Sequence, residues 1–110
     1  MLSAALGVQL HISSESITAL YEADRVFASH ALPCVLTSGT EGLHVPGSAH
    51  GQGRALDFRI RHAPPEQWDD ITSDLQAALP QRFTVNLERQ PPAALRDTSR
   101  WAPHIHVEWP

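Results

Sequence analysis

Residues 48–60 read Ser48-Ala49-His50-Gly51-Gln52-Gly53-Arg54-Ala55-Leu56-Asp57-Phe58-Arg59-Ile60, passing from a glycine-rich loop into strict alternation. Successive residues of an extended chain point to opposite faces. Leu56, Phe58 and Ile60 therefore share one face, and Ala55, Asp57 and Arg59 share the other. A strand with one apolar face predicts a sheet that is buried on one side. The same period returns at His104-Ile105-His106-Val107-Glu108-Trp109. Here His104, His106 and Glu108 fall together, opposite Ile105, Val107 and Trp109. Arg82 to Glu88 alternates too, with Phe83, Val85 and Leu87 on one side.

The remaining elements follow outward from these strands. Val8-Gln9-Leu10-His11-Ile12 alternates and predicts a short first strand. Ser13 and Ser14 are N-cap candidates for a helix in which Ile17, Leu20, Tyr21, Phe27 and Ala31 approximate helical spacing, ending before Pro33. Cys34 to Thr37 is a short β-type run. Residues 38–53 hold five of the six glycines, a long loop of the kind that compact domains reserve for function. Pro64-Pro65 opens a second helix with the stripe Trp68, Ile71, Leu75 and Leu79, stopped by Pro80. Residues 89–103 predict an irregular connection. The pattern predicts one α+β domain over residues 1–110. It has a small, mostly antiparallel sheet with two main helices packed on one face and a candidate metal site on the other.

Composition narrows the function. With 110 residues, 42% hydrophobic and 18% charged, the chain has an ordinary globular balance. A net charge of -4 speaks against a nucleic-acid backbone as partner. No apolar run is long enough to insert across a membrane. The opening residues lack the basic start of a signal peptide, so the expectation is synthesis in the cytoplasm. One cysteine, Cys34, rules out an intrachain disulfide framework and reads as an inert small hydrophobe. Seven histidines is the unusual number.

An aspartate on one strand and two histidines on another, all opposite the apolar faces, need solvent or each other. His50 stands seven residues before Asp57. Zinc binds imidazole nitrogen and carboxylate oxygen, and catalytic sites use three protein ligands with a fourth position open. His50, Asp57 and one histidine of His104-x-His106 supply such a set. Both histidines could ligate, or one could ligate while the other acts as general acid or base.

Ser48-Ala49-His50-Gly51-Gln52-Gly53-Arg54-Ala55-Leu56-Asp57 fits Ser-x-His-x-x-Gly-x-Ala-x-Asp at every specified position. This pattern resembles the zinc D-Ala-D-Ala carboxypeptidase and L-alanyl-D-glutamate endopeptidase family. His104-Ile105-His106-Val107-Glu108 is similar to the closing strand of the wider superfamily, which includes hedgehog signalling domains and lysostaphin-like endopeptidases. His44-x-x-x-Ser48-x-His50 with the His-Ile-His-Val-Glu ending is similar to short phage-encoded members. The similarity covers residues 34–60 and 82–109.

The resemblance implies that His50, Asp57 and His106 ligate Zn²⁺ and that His104 is the catalytic histidine. Ser48 would support the His50 loop, while Gly53 and Ala55 would keep the approach narrow. His44, Arg54 and Glu108 are further supporting or substrate-binding candidates, and Arg59 and Arg61 flank the same region. The implied function is a zinc metallopeptidase, a hydrolase of peptidoglycan peptides in endolysin-like cell wall degradation. The alternative is a non-catalytic, metal-stabilised structural or peptide-binding domain of a phage particle. The chain would then act at the cell wall or within a phage structural assembly.

Two departures stand out. Thr40 and Glu41 occupy the place of the family's arginine, and Pro103 stands where many members have the Glu of Glu-x-x-His. The base would then be His104 or a carboxylate such as Glu88 or Glu108. His11, His30 and His62 read as surface or helix-end residues, Trp68 and Trp101 as core or rim, and Trp109 as core.

Overall fold

The structure, a computed structural model, describes residues 1–41 and 48–110. Strands β1 (Leu2–Ala4), β2 (Cys34–Ser38), β3 (Ala55–Arg59), β4 (Thr84–Glu88) and β5 (His104–Glu108) form a single sheet in the order β1-β2-β3-β5-β4. The β1–β2 pairing is parallel, and the β2–β3, β3–β5 and β4–β5 pairings are antiparallel. Helix α1 spans Ser14–Ser29, and helix α2 spans Trp68–Ala78 behind a 3-10 turn at Pro65–Gln67. The α+β expectation holds, with five strands and two helices among the described residues.

Alternation sets what each strand buries. Leu56, Phe58, Ile105 and Val107 are at most 2% exposed, and they join Phe27, Ile71, Leu75 and Phe83 in one apolar cluster. Both helices contribute to that cluster, so they cover the same side of the sheet. Residues paired across antiparallel strands share a face. The opposite side therefore carries Glu88, His104 and Arg59 in one row and Asn86, His106 and Asp57 in the next. β2 shifts register between Leu36 and Ser38, and there Thr37 Oγ1 donates to the Asp57 carbonyl at 3.2 Å. Bulges of this kind re-aim side chains at a sheet's working end.

Helix α1 starts where its cap chemistry dictates. Ser13 Oγ accepts from the Ser16 amide at 3.1 Å, and Ser16 Oγ accepts from the Ser13 amide at 2.8 Å. Ser16 is fully buried, so both groups need these partners. Replacing Ser13 with Ala is expected to cost about 1 kcal/mol. Urea unfolding should show an earlier midpoint at unchanged slope.

Two expectations fail. The alternating run Val8–Ile12 forms no strand; the sheet position beside β2 goes to Leu2–Ala4, and Ala5 N donates to Leu36 O at 2.8 Å. Gly7 at φ 88 then turns the chain away. Gln9 spends its backbone groups on Glu41 Oε1 and Thr40 N instead of a ladder. Val8 and Leu10 still lean on the core, but Ile12 is 64% exposed. The second failure is the buried face of α1, which is Ser16, Ala19, Ala23, Val26 and Phe27, whereas Ile17 and Tyr21 are exposed. Small side chains let the helix sit close to its neighbours, and hydrophobicity alone does not signal that.

Candidate metal centre

Asp57 and His106 are direct cross-strand partners at the centre of the sheet. His106 Nδ1 lies 2.8 Å from Asp57 Oδ1, and its Nε2 lies 2.9 Å from Glu108 Oε1. His50 reaches over from the 48–53 turn, its Nε2 3.2 Å from the same Asp57 oxygen. Its Nδ1 donates to the Gly39 carbonyl at 2.9 Å, which fixes the ring with Nε2 inward. The His50 and His106 rings meet edge-on at 5.0 Å. His104 stands back: Nε2 is 3.8 Å from Asp57 Oδ2, and Nδ1 donates to Ala102 O at 2.8 Å.

The facing atoms fit an ion. Bonds of 2.0–2.2 Å in a tetrahedral site hold ligands roughly 3.3–3.6 Å apart. The two separations from Asp57 Oδ1, 3.2 and 2.8 Å, are slightly shorter, so a modest spreading would suffice. The ligand atoms of His50, Asp57 and His106 all lie within 4.8 Å of one another, and this group could hold a metal ion. The two remaining imidazole nitrogens already have acceptors, Gly39 O and Glu108, the outer-shell arrangement usual for ligating histidines.

The cluster's electrostatics match its packing. Burial works against the Asp57 carboxylate, but hydrogen bonds from His106 and His50 and the imidazole charges outweigh it and hold its pKa far below the usual range. The Asp57 hydrogen bond, joined by Glu108, raises His106 from 6.5 to about 9 against the opposing effect of burial. His50 is also raised, because Asp57 outweighs the burial that lowers it.

In the metal-free chain these shifts make stability pH-dependent. The raised His106 contributes fully below about 6.5, and that contribution is lost as pH rises through about 9. The depressed Asp57 contributes above its ordinary 3.8 and loses that contribution as pH falls. With chelator present, melting temperature should be highest between roughly pH 4 and 6.5 and should fall toward pH 9. A wild-type melting temperature that climbs between pH 6.5 and 9 would contradict this assignment, as would an unaltered decline in Asp57→Asn.

The His50 turn is closed by backbone bonds from Gly53 N to His50 O and from Arg54 N to Ala49 O. Ser48 Oγ accepts from Gly51 N at 3.1 Å, so Ser48 does brace this turn. Gly53 has φ 74, where a side chain would also strike the His11 ring. Arg54 does not face the cluster; it donates to Trp109 O and Gln52 Oε1 and ties the turn to the end of β5. A substrate role for Arg54 therefore has no support in its contacts. His44 lies outside the described residues.

One positioning residue escapes the sequence reading. Glu41 accepts from Ser38 Oγ at 2.7 Å, Gly39 N at 2.8 Å and Gln9 N at 3.0 Å. Burial opposes its charge, but these donors keep its pKa below the usual value. Glu41 thereby fixes Gly39, whose carbonyl holds His50. A Cβ on Gly39 would run into the Gln9 carbonyl. The available signal was a carboxylate just past a Ser-Gly turn, placed to accept from the turn's own amides.

Cys34 is buried and inert: burial, then the nearby Asp24 charge, pushes its thiol up to about 12. His62 stacks on Phe27, and His30 closes α1 and meets Asp74 at 2.8 Å. Trp109 is core, at 4% exposed. No helix among the described residues is long and apolar enough to cross a membrane.

His50, Asp57, His104 and His106 open onto a cleft of ≈ 280 Å³, walled by Glu88, Gln90, Pro92 and Trp101. Compared with family models, with curated proteins and with solved structures, the chain gave no match.

Proposed function

We propose that this chain is a zinc metallopeptidase that hydrolyses an amide bond in peptidoglycan peptides. The observation that carries the proposal is the convergence of His50 Nε2, Asp57 Oδ1 and His106 Nδ1, beside a histidine that is not needed for ligation. Two imidazoles and a carboxylate suit zinc better than hard oxygen-loving cations. The substrate class rests on the resemblance of residues 48–57 and 104–108 to the zinc D-Ala-D-Ala carboxypeptidase and L-alanyl-D-glutamate endopeptidase family.

His50, Asp57 and His106 would hold the ion, with Gly39 O and Glu108 orienting the two rings. When bound, zinc supplies Lewis acidity that polarises a carbonyl and activates water at neutral pH. His104 supplies the proton chemistry. With Nδ1–H donated to Ala102 O, its neutral form keeps Nε2 as an acceptor facing the cleft. It can take a proton there and return it to a departing amine. Glu88, across from His104 in register, lines the same cleft as a second candidate base.

The test is metal analysis of the purified protein, combined with mass spectrometry of digested peptidoglycan. Stoichiometric zinc and new amine termini are expected. Zinc without cleavage would overturn the enzymatic reading in favour of a metal-stabilised domain of a phage particle.

A further inference from the structure

Val8 to Ile12 has the alternation of a strand but takes no place in the sheet. Val8 and Leu10 rest on the core, while Gln9 and His11 meet the two turns that hold His50. Gln9 N donates to Glu41 Oε1 at 3.0 Å, and Gln9 O accepts from Thr40 N at 2.8 Å. The Thr40 N–H and the Gly39 C=O belong to one peptide group, which is planar and rigid. The Gln9 carbonyl at one end therefore sets the direction of the Gly39 carbonyl at the other. That carbonyl takes the His50 Nδ1–H at 2.9 Å.

Two buried glycines mark the same contact. A Cβ on Gly39 would run into Gln9 O, and a Cβ on Gly53 would stand 2.8 Å from the His11 Cβ and 2.9 Å from its ring. Lacking side chains there, both turns come close to the segment. His11 itself is exposed.

We infer that Val8–Ile12 is a strap that positions His50 for the metal. Gln9 aims the imidazole through the Gly39 peptide, Glu41 holds Gln9, and His11 backs the 48–53 turn. All three are positioning residues, and none is a ligand. Asp57 and His106 are fixed by their places on β3 and β5, whereas His50 stands on a turn. A ligand on a loose turn loses freedom when it takes up an ion, and a strap that has already ordered it makes binding tighter. The inference rests on the reading of His50, Asp57 and His106 as a metal centre.

Two measurements test it: zinc affinity by competition with a chromophoric chelator, and the His50 Nδ1–H NMR signal of the metal-free protein. Glu41→Ala should weaken zinc binding about tenfold, as loss of a partner behind a ligating histidine does. His11→Ala should weaken it less, and the double variant more than either. Glu41→Gln keeps an oxygen for the amides and should recover part of the loss. In Glu41→Ala the His50 signal should exchange faster with water while that of His106 stays. Ile71→Val, a core truncation on the distant α2, should leave both readouts unchanged.

Wild-type affinity in the double variant overturns the strap, as does an unaltered His50 signal in Glu41→Ala. An equal loss in Ile71→Val also overturns it, because the effect is then one of general stability. Should Glu41→Ala fold poorly, His11→Ala decides, since its side chain is exposed. If the native chain takes up no zinc, the metal reading falls, and the His50 signal alone decides whether the strap holds the ring. Peptidoglycan cleavage is not among the readouts, so failure of the peptidase reading leaves the strap standing.

Discussion

Asp57→Ala should abolish zinc binding and cause the largest fall in melting temperature of any substitution in the cluster. Asp57 is the shared partner: one of its oxygens meets both His50 and His106. An ion bound only to the folded chain, at about a thousand times its dissociation constant, stabilises it by about 4 kcal/mol. For a domain of this size that is on the order of 15 °C. Chelator should therefore lower the wild-type melting temperature strongly and leave that of Asp57→Ala nearly unmoved.

A smaller deficit should remain in chelator, because the substitution also deprives two imidazoles of their acceptor, worth about 1–3 kcal/mol. His106→Ala should behave similarly. Full metal content and an unchanged melting temperature in both variants would remove the metal centre from consideration.

His104→Ala is expected to separate chemistry from binding. Turnover of peptidoglycan peptides should fall by roughly 10²–10⁴-fold, the usual contribution of a positioned acid–base group. Zinc content should stay at the wild-type level, since Nε2 stands 3.8 Å from Asp57 and the ring is anchored independently by Ala102. Loss of metal along with activity would make His104 a ligand. Undiminished turnover would shift the proton role to Glu88 or Glu108.

Two segments depart from their local pattern for the same reason. Val8–Ile12 alternates like a strand, but its backbone partners turned out to be Glu41 and Thr40 on a neighbouring loop. Ile17 and Tyr21 follow helical spacing, yet α1 buries Ala19 and Ala23. In each case the local pattern fits a regular element, and the outcome rests on what a distant segment presents. Conversely, β3, β4 and β5 were legible because each alternates and each is buried on one face. The Ser13 cap, too, acts only within its own turn.

The site divides in the same way. That Asp57 shares a strand face with Arg59, and that His104, His106 and Glu108 share another, each opposite an apolar face, followed from sequence alone, because a strand's side chains alternate by covalent geometry. The tertiary structure decided that Asp57 lies opposite His106, 49 residues away. It also gave His50 the Gly39 carbonyl as its anchor and set Gln9 and His11 against the turns that hold it. Strand order and register depend on hydrogen bonds and packing between remote segments, and no run of neighbouring residues encodes those pairings.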